Sequence, residues 1–316
     1  MAIPARCRGL HSPIFEALRM GVLLVLGSLA ACRPAGGSPT AARLVDDAGE
    51  PVRPGARPAR IVSLNPTTTE LLFALGAGSR LVGRNSACDY PSGAAAVPSL
   101  GGGFPPAVET VVGARPDLVV LYHSAGNAAA AARLRELGIP VLRIRTDRLA
   151  DVARAARLLG EAIGAAAAGD SIASRLETEL AAERRAAEGA TERFPALLLA
   201  WDQPVIALGA GSFVSELLEL AGGRNVFADV SLPSAPVSLE AIAGRAPAVV
   251  LLVGSEIPGL ERRPEWRVLP AVRAGRLLRL TESSSNRPSP RAPAAARALR
   301  ARLTALTSDS MSGAPR

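Results

Sequence analysis

Lysine is absent from this sequence. All 36 basic residues among the 316 are arginine, against 28 acidic ones, for a net charge of +8. That balance invites a nucleic-acid partner. Yet the arginines are scattered among Ala, Gly and Pro rather than gathered in a patch, and aromatic residues, which stack on bases, make up only 3%. Nucleic-acid binding is excluded on both grounds. Histidine is scarce too, with only His11 and His123. Zinc and manganese sites draw on several His plus carboxylates, so no resident metal or cofactor is expected. His123 reads either as a hydrogen-bonded surface residue or as an axial ligand to the metal of a bound chelate. No nucleophile elbow, phosphate loop or HExxH occurs, so no catalytic residue is expected and the chain does not read as an enzyme. The GAGS stretch, Gly209 to Ser212, lacks a full phosphate-binding fingerprint and reads as a tight turn before a helix. No apolar run reaches the ~20 residues that span a bilayer.

What is present begins with an export signal. Arg6, Arg8 and Arg19 precede the apolar run Met20 to Ala31, the layout of a secretory signal peptide. It ends in LAAC, which resembles a bacterial lipobox, with Cys32 the lipidated first mature residue. Residues 1–31 are therefore read as a lipoprotein signal peptide and 32–58, rich in Gly, Pro and Ser, as a disordered tether. Lipid at Cys32 would hold the protein on the outer side of a membrane. Cys7 and Cys32 belong to these segments, so Cys88 has no partner for an intrachain disulfide and is either buried or a free thiol.

From Arg60 the pattern alternates. The spacing predicts a strand at 60–64, then a helix with Asn65 or Thr67 as cap, Pro66 in its first turn, a capping box from Thr67 to Glu70, and Gly76 or Gly78 as its stop. Short strands at 81–83, 117–122 and 141–144 alternate with helices at 107–114 and 128–137. A long segment nearly free of breakers follows, with Leu149, Val152, Ala156, Leu159 and Ile163, then Ile172, Leu176 and Leu180, at helical spacing. Gly164 to Gly169 divides it into two helices. Beyond Pro195 come strands at 196–201 and 205–207, a helix at 212–220, a helix at 239–244 leading into a strand at 248–253, a helix at 264–273, a strand at 276–280 and a last helix at 292–306. This alternation is the signature of an α/β fold with largely parallel sheets. Two stretches nearly repeat: AVETVVGARPDLVVL from Ala107 and SLEAIAGRAPAVVLL from Ser238. Each carries a Glu, a Pro seven residues later, and a branched apolar run. Two similar lobes are implied: 59–147 and 193–306, joined by a helical strut at 148–192, with a frayed tail at 307–316.

The stretches RIVSLNPTTTELLFALGAGSRLVG, DYP, VETVVGARPDLVVL, GSFVSELLELAGGRNVFAD, PVSLEAIAGRAPAVVLL and RPSPR, in that order, resemble the substrate-binding proteins of iron-siderophore and vitamin B12 ABC importers, most nearly the corrinoid-binding branch. The resemblance spans Arg60 to Leu306. It implies a class III periplasmic-binding-protein fold of two α/β lobes bridged by a long helix. The ligand, a corrinoid or another metal chelate such as a ferric siderophore or haem, lies between lobes that move little. The implied partners are an ABC permease with its ATPase, and the implied place is the periplasm or cell surface. An extracytoplasmic sensor or enzyme on the same scaffold is the reading from a different class. Glu109 and Glu240 match the lobe-tip acids that pair with permease arginines; as first-turn acids they also suit the helix dipole. Phe104, Tyr122 and Trp201 are candidate ligand-binding aromatics at strand ends, where open α/β sheets bind ligands. Tyr122 matches a Trp of the B12-binding relatives, and Arg287 a basic residue that reaches their ligand. Relatives carry aromatics or acids where this chain has Ser234, Ala87 and Ser283 to Ser285, so a cleft poorer in aromatics and richer in hydroxyls is expected.

Overall fold

The computed structural model describes residues 44–189, 193–253, 257 and 259–312. The N-terminal lobe is a four-stranded parallel sheet of β1 (Ile61–Ser63), β2 (Leu81–Arg84), β3 (Leu118–Tyr122) and β4 (Val141–Ile144), in the order β2-β1-β3-β4. Its strands are apolar on both faces because helices cover both. Ile61, Leu118, Val120, Leu142 and Ile144 feed one buried cluster, while Val62, Val119, Leu121 and Val141 feed another. Between the strands run α1 (Pro66–Ala74), α2 (Val108–Gly113) and α3 (Ala128–Glu136). Asn65 caps α1, accepting from Thr67 N–H at 2.9 Å, and Pro66 occupies the first turn. The expected capping box does not form. Glu70 is drawn instead into a buried ion cluster, where two arginines outbid a backbone N–H.

The C-terminal lobe repeats the plan. Its strands are β5 (Phe194–Asp202), β6 (Val205–Leu208), β7 (Gly223–Asn225), β8 (Ser234–Pro236), β9 (Val249–Val253) and β10 (Leu277–Leu280). β7, β5, β9 and β10 pair in parallel in the same order as β2, β1, β3 and β4, and antiparallel β6 and β8 extend the edge. The helices are α6 (Phe213–Leu220), α7 (Leu239–Gly244), α8 (Pro270–Arg273), α9 (Ser283–Asn286) and α10 (Ala292–Ser312). The repeated stretches are α2–β3 and α7–β9, with β3 beside β1 and β9 beside β5. Even a backbone irregularity recurs: Arg115 (φ 50°) and Ala246 (φ 46°) are the only described non-glycine residues at positive φ, and each directly precedes the proline of its copy. The fold is thus the two-lobed α/β class expected.

Some boundaries differ. The helix expected at 264–273 splits into a 3-10 turn (Pro264–Val268) and α8, because Leu269 lies before Pro270 and is extended (φ −80°, ψ 123°). The last helix runs on to Ser312 rather than ending at Leu306. The strut is two helices, α4 (Leu149–Ala162) and α5 (Ala166–Glu188), folded against each other. Helix α4 packs on α1, and α5 packs on α6 and α10 of the second lobe. At about 1.5 Å per residue its 23 residues cover roughly 35 Å. Every apolar residue that set the period of these helices is buried, and one cluster runs from the first sheet through α4 and α5 into the second lobe.

Gly160 and Gly169 let α4 and α5 touch. A methyl at position 169 would stand 2.6 Å from the Ala156 carbonyl oxygen, which backbone rigidity keeps in place. Gly169→Ala should therefore cost about 2 kcal/mol by forcing the helices apart, checked by denaturant unfolding. An unchanged midpoint would mean the pair slides freely.

The tether assignment of 32–58 is corrected from residue 44 onward. Leu44 and Val52 are buried in the first-lobe core, and the turn between them pairs Val45 with Pro51. Asp46, 4% exposed, meets Arg135 at 2.7 Å and Arg143 at 3.3 Å and accepts from the N–H groups of Ala48 and Glu50, both at 2.9 Å. A Gly/Pro-rich segment without apolar period is thus fastened by two acids, Asp46 and Asp47, and two apolar anchors along β4, the edge strand, which it covers. Residues 1–43, which include the expected signal peptide and Cys32, lie outside the described residues. Burial by itself would raise the Asp46 pKa; the backbone donors and the Arg143 charge overcome it, and the net shift is below the ordinary 3.8. A depressed carboxylate adds stability that is present above its unfolded pKa and is lost as pH falls through the folded value. The stability gap between wild type and Asp46→Asn should therefore narrow below about pH 4. A gap constant to pH 2.5 in urea titrations would show that the carboxylate is not depressed.

Candidate ligand-binding cleft

The carboxyl ends of β1, β3, β4 and β9 open on one cleft between the lobes, where parallel α/β sheets place ligands. Two adjoining cavities fill it, of about 770 and 340 Å³, sharing Tyr122, Thr146 and Pro288 in their walls. The larger is lined on the first-lobe side by Arg145, Asp147, Arg148 and Asp151, and on the other by Gly211, Ser212, Phe213, Ser231 and Ser234. The smaller lies over the β1–α1 turn, with Asn65, Thr67, Asn85, Phe104 and Arg287 around it. Serines replacing aromatics at Ser234 do face the ligand space. Those at Ser283 to Ser285 do not: Ser284 and Ser285 are buried, and Ser283 accepts from Arg291 at 3.0 Å. Ser212, which ends the GAGS turn, and Ser231 line the larger cavity beside Ser234; Ser231 carried no expectation from the sequence.

Two of the predicted aromatics meet. Phe104, 60% exposed, stands with its ring 6.2 Å from that of Tyr122, tilted by 41°. The Tyr122 hydroxyl donates to Asp147 Oδ1. Burial, then the hydrogen bond and charge of Asp147, push its pKa up to about 12, so the phenol is neutral at physiological pH. Trp201 is placed apart. It lines neither cavity, is 40% exposed at the β5–β6 turn, and donates to the Gln203 carbonyl at 2.7 Å. Its strand outruns the cleft, because β5 extends to Asp202 to pair with β6. His123 also lines neither cavity.

Arg287 is in the wall, but its guanidinium is engaged: it donates to the Ala87 carbonyl at 2.8 Å and to Asp89, and lies 3.7 Å from Glu70. Arg291 binds Glu70 through two bonds, 3.0 and 2.9 Å, and stacks 3.7 Å above the Tyr90 ring. Ser289 Oγ adds a 2.8 Å bond to Glu70, and Thr67 Oγ1 donates to the Pro288 carbonyl at 2.7 Å. The RPSPR segment thus clasps α1 of the first lobe beneath the cleft. On the other flank Glu216 of α6 accepts from Leu149 N–H at 2.8 Å and Arg148 Nε at 2.7 Å, tying the second lobe to the start of α4.

Glu109 and Glu240 are exposed, each in the first turn of its copy of the repeat, α2 and α7. Ser238 caps α7 by accepting from Ala241 N–H at 3.1 Å. The Glu240 backbone N–H and the Ser238 hydroxyl hold the Glu240 carboxyl below the usual range. The polar run RTDR, Arg145 to Arg148, was missed as a site. Its signal was available: four polar residues directly after a strand of an α/β lobe.

A cleft between two lobes of like topology, walled by strand ends and crossed beneath by helices, defines a solute-binding protein. The periplasmic binding protein family matches residues 61–283, and the chain belongs to it. As a member it is a binding protein and not an enzyme. It is 28% identical over 245 residues to the vitamin B12-binding protein of Vibrio parahaemolyticus, covering 77% of this chain and 86% of that protein. It is also 28% identical over 255 residues to the ABC transporter substrate-binding lipoprotein YvrC of Bacillus subtilis, covering 78% and 81% of the two chains. Among solved structures it resembles the periplasmic heme-binding protein RhuT of Roseiflexus sp. RS-1, with a TM-score of 0.71 and 28% identity over 78% of this chain and 98% of that one. Among the described residues, no helix is long and apolar enough to cross a membrane.

Proposed function

We propose that the protein captures a corrinoid, a vitamin B12-type metal chelate, in this cleft and delivers it to an ABC permease. The observation that carries the reading is the size of the ligand space. Taken together, the adjoining cavities of about 770 and 340 Å³ reach the upper end of the ~300–1,000 Å³ of common small-molecule pockets. They suit a macrocycle with side arms better than a compact solute. Phe104 and Tyr122 offer aromatic surface for the ring. Similarity to a vitamin B12-binding protein supports the same ligand. The clasp at Glu70 and the tie at Glu216 fit a largely preformed site.

Haem is the second reading, supported by the likeness to a heme-binding protein and by the Tyr122 phenol at the junction of the cavities. In that reading the Tyr122 phenol, whose proton Asp147 accepts, would face the iron. In either reading lipid at Cys32 anchors the chain outside the membrane, as the name of YvrC supports. Glu109 and Glu240 meet arginines of the permease. Calorimetric titration of the purified chain with cyanocobalamin, cobinamide and haemin tests the ligand. Submicromolar binding of either corrinoid is expected. No heat with both, and saturable binding of haemin, would replace the corrinoid by haem.

A further inference from the structure

The cleft wall formed by the chain leaving β4 holds two charges that no ion pair of the described residues neutralises. Burial alternates from Ile144 (buried) to Arg145 (exposed), Thr146 (buried) and Asp147 (exposed), so Arg145 and Asp147 stand on one face. Both line the larger cavity. The other charged groups in the walls are engaged. Arg148 binds Glu216 and the Ala210 carbonyl, Asp151 binds Arg154 and two backbone N–H groups, and Arg287 binds Asp89 and the Ala87 carbonyl. Among the described residues, the Arg145 guanidinium has no acceptor. Asp147 takes one donor, the Tyr122 phenol on Oδ1, and Oδ2 has none. The two are not paired with each other.

Their backbone is pinned. Arg145 N–H donates to Asp47, and its carbonyl accepts from Arg154 at 2.9 Å. Thr146 Oγ1 accepts from Asn65 at 2.9 Å, and Asp147 N–H donates to Asp151 at 3.0 Å. A guanidinium and a carboxylate held two residues apart ask for one group that both accepts and donates. A carboxylate would meet the charge of Asp147, and a cation that of Arg145. A primary carboxamide satisfies both.

We propose that Arg145 and Asp147 read the peripheral primary carboxamides of the ligand, Arg145 donating to the amide oxygen and Asp147 accepting from the amide N–H. The proposal rests on the corrinoid reading and adds the feature by which the cleft selects among corrinoids. It sets amidated corrinoids apart from their carboxylate precursors.

The test compares cobinamide with cobyrinic acid, whose macrocycle carries carboxylates in place of the amides. Wild type should bind cobinamide at least about tenfold more tightly, the scale of one charge-assisted hydrogen bond. Asp147→Asn should bring the two within about threefold, chiefly by strengthening cobyrinic acid. Arg145→Gln should weaken cobinamide about tenfold. Both side chains are exposed, so both variants should melt with wild type. Equal wild-type affinity for the two corrinoids, or an Asp147→Asn ratio unchanged from wild type, overturns the carboxamide couple while leaving the corrinoid reading intact. Failure of both corrinoids to bind overturns the corrinoid reading itself, and the couple with it.

Discussion

Glu70→Gln should lower the unfolding free energy by about 3 kcal/mol, the low end of the cost of breaking a buried ion pair. Glu70 is 3% exposed and carries Arg291, with Arg287 close by and Ser289 bonded to it. Removing its charge leaves one guanidinium stacked on Tyr90 and another under the cleft without their shared acid. The arginine side chains keep 26% and 19% of their exposure, so water offsets part of the loss and the upper end of the range does not apply. For a chain of this size the melting temperature should drop by roughly 5 °C. The clasp joins the lobes, so the variant should also bind ligand more weakly than its stability at 25 °C alone would imply. A loss under about 1 kcal/mol, the worth of a surface pair, would mean that the lobes are held by the shared apolar core and that the clasp is incidental.

Reversing both tip acids, Glu109→Arg with Glu240→Arg, should abolish ligand uptake in cells while leaving the affinity of the purified protein within about twofold of wild type. Both side chains are exposed and neither lines a cavity. Uptake has the larger stake because like charges brought together at an interface cost several kcal/mol, and two such sites act at once. Each single reversal should leave partial uptake. The helix dipole offers the competing account: a first-turn Arg is mildly destabilising, by about 0.3–1 kcal/mol at an exposed site. Uptake at wild-type level in the double variant would leave that account alone standing. Weakened binding with a lowered melting temperature would point to the same conclusion.

Much of this protein was legible before any coordinates. Periodicity located nearly all the helices and strands, since apolar spacing reports which face an element buries. The repeated Glu–Pro stretches announced two like lobes, and the lobes share a strand order down to the left-handed residue before each proline. What periodicity could not reach were segments whose role depends on distant partners. Residues 44–58 read as loose chain, yet Asp46 finds Arg135 and Arg143 about ninety residues away. Glu70 read as half of a local capping box, yet it is taken by residues some 220 positions later. Trp201 and Tyr122 look alike as strand-end aromatics, and only the length of β5 separates them. Local sequence determined the elements, their order and the lobes, because hydrophobic burial is written at a spacing of two or about 3.6 residues. Which charges are spent inside the fold and which are left facing the cleft was decided by tertiary structure alone, because an ion pair depends on distance in space and not along the chain.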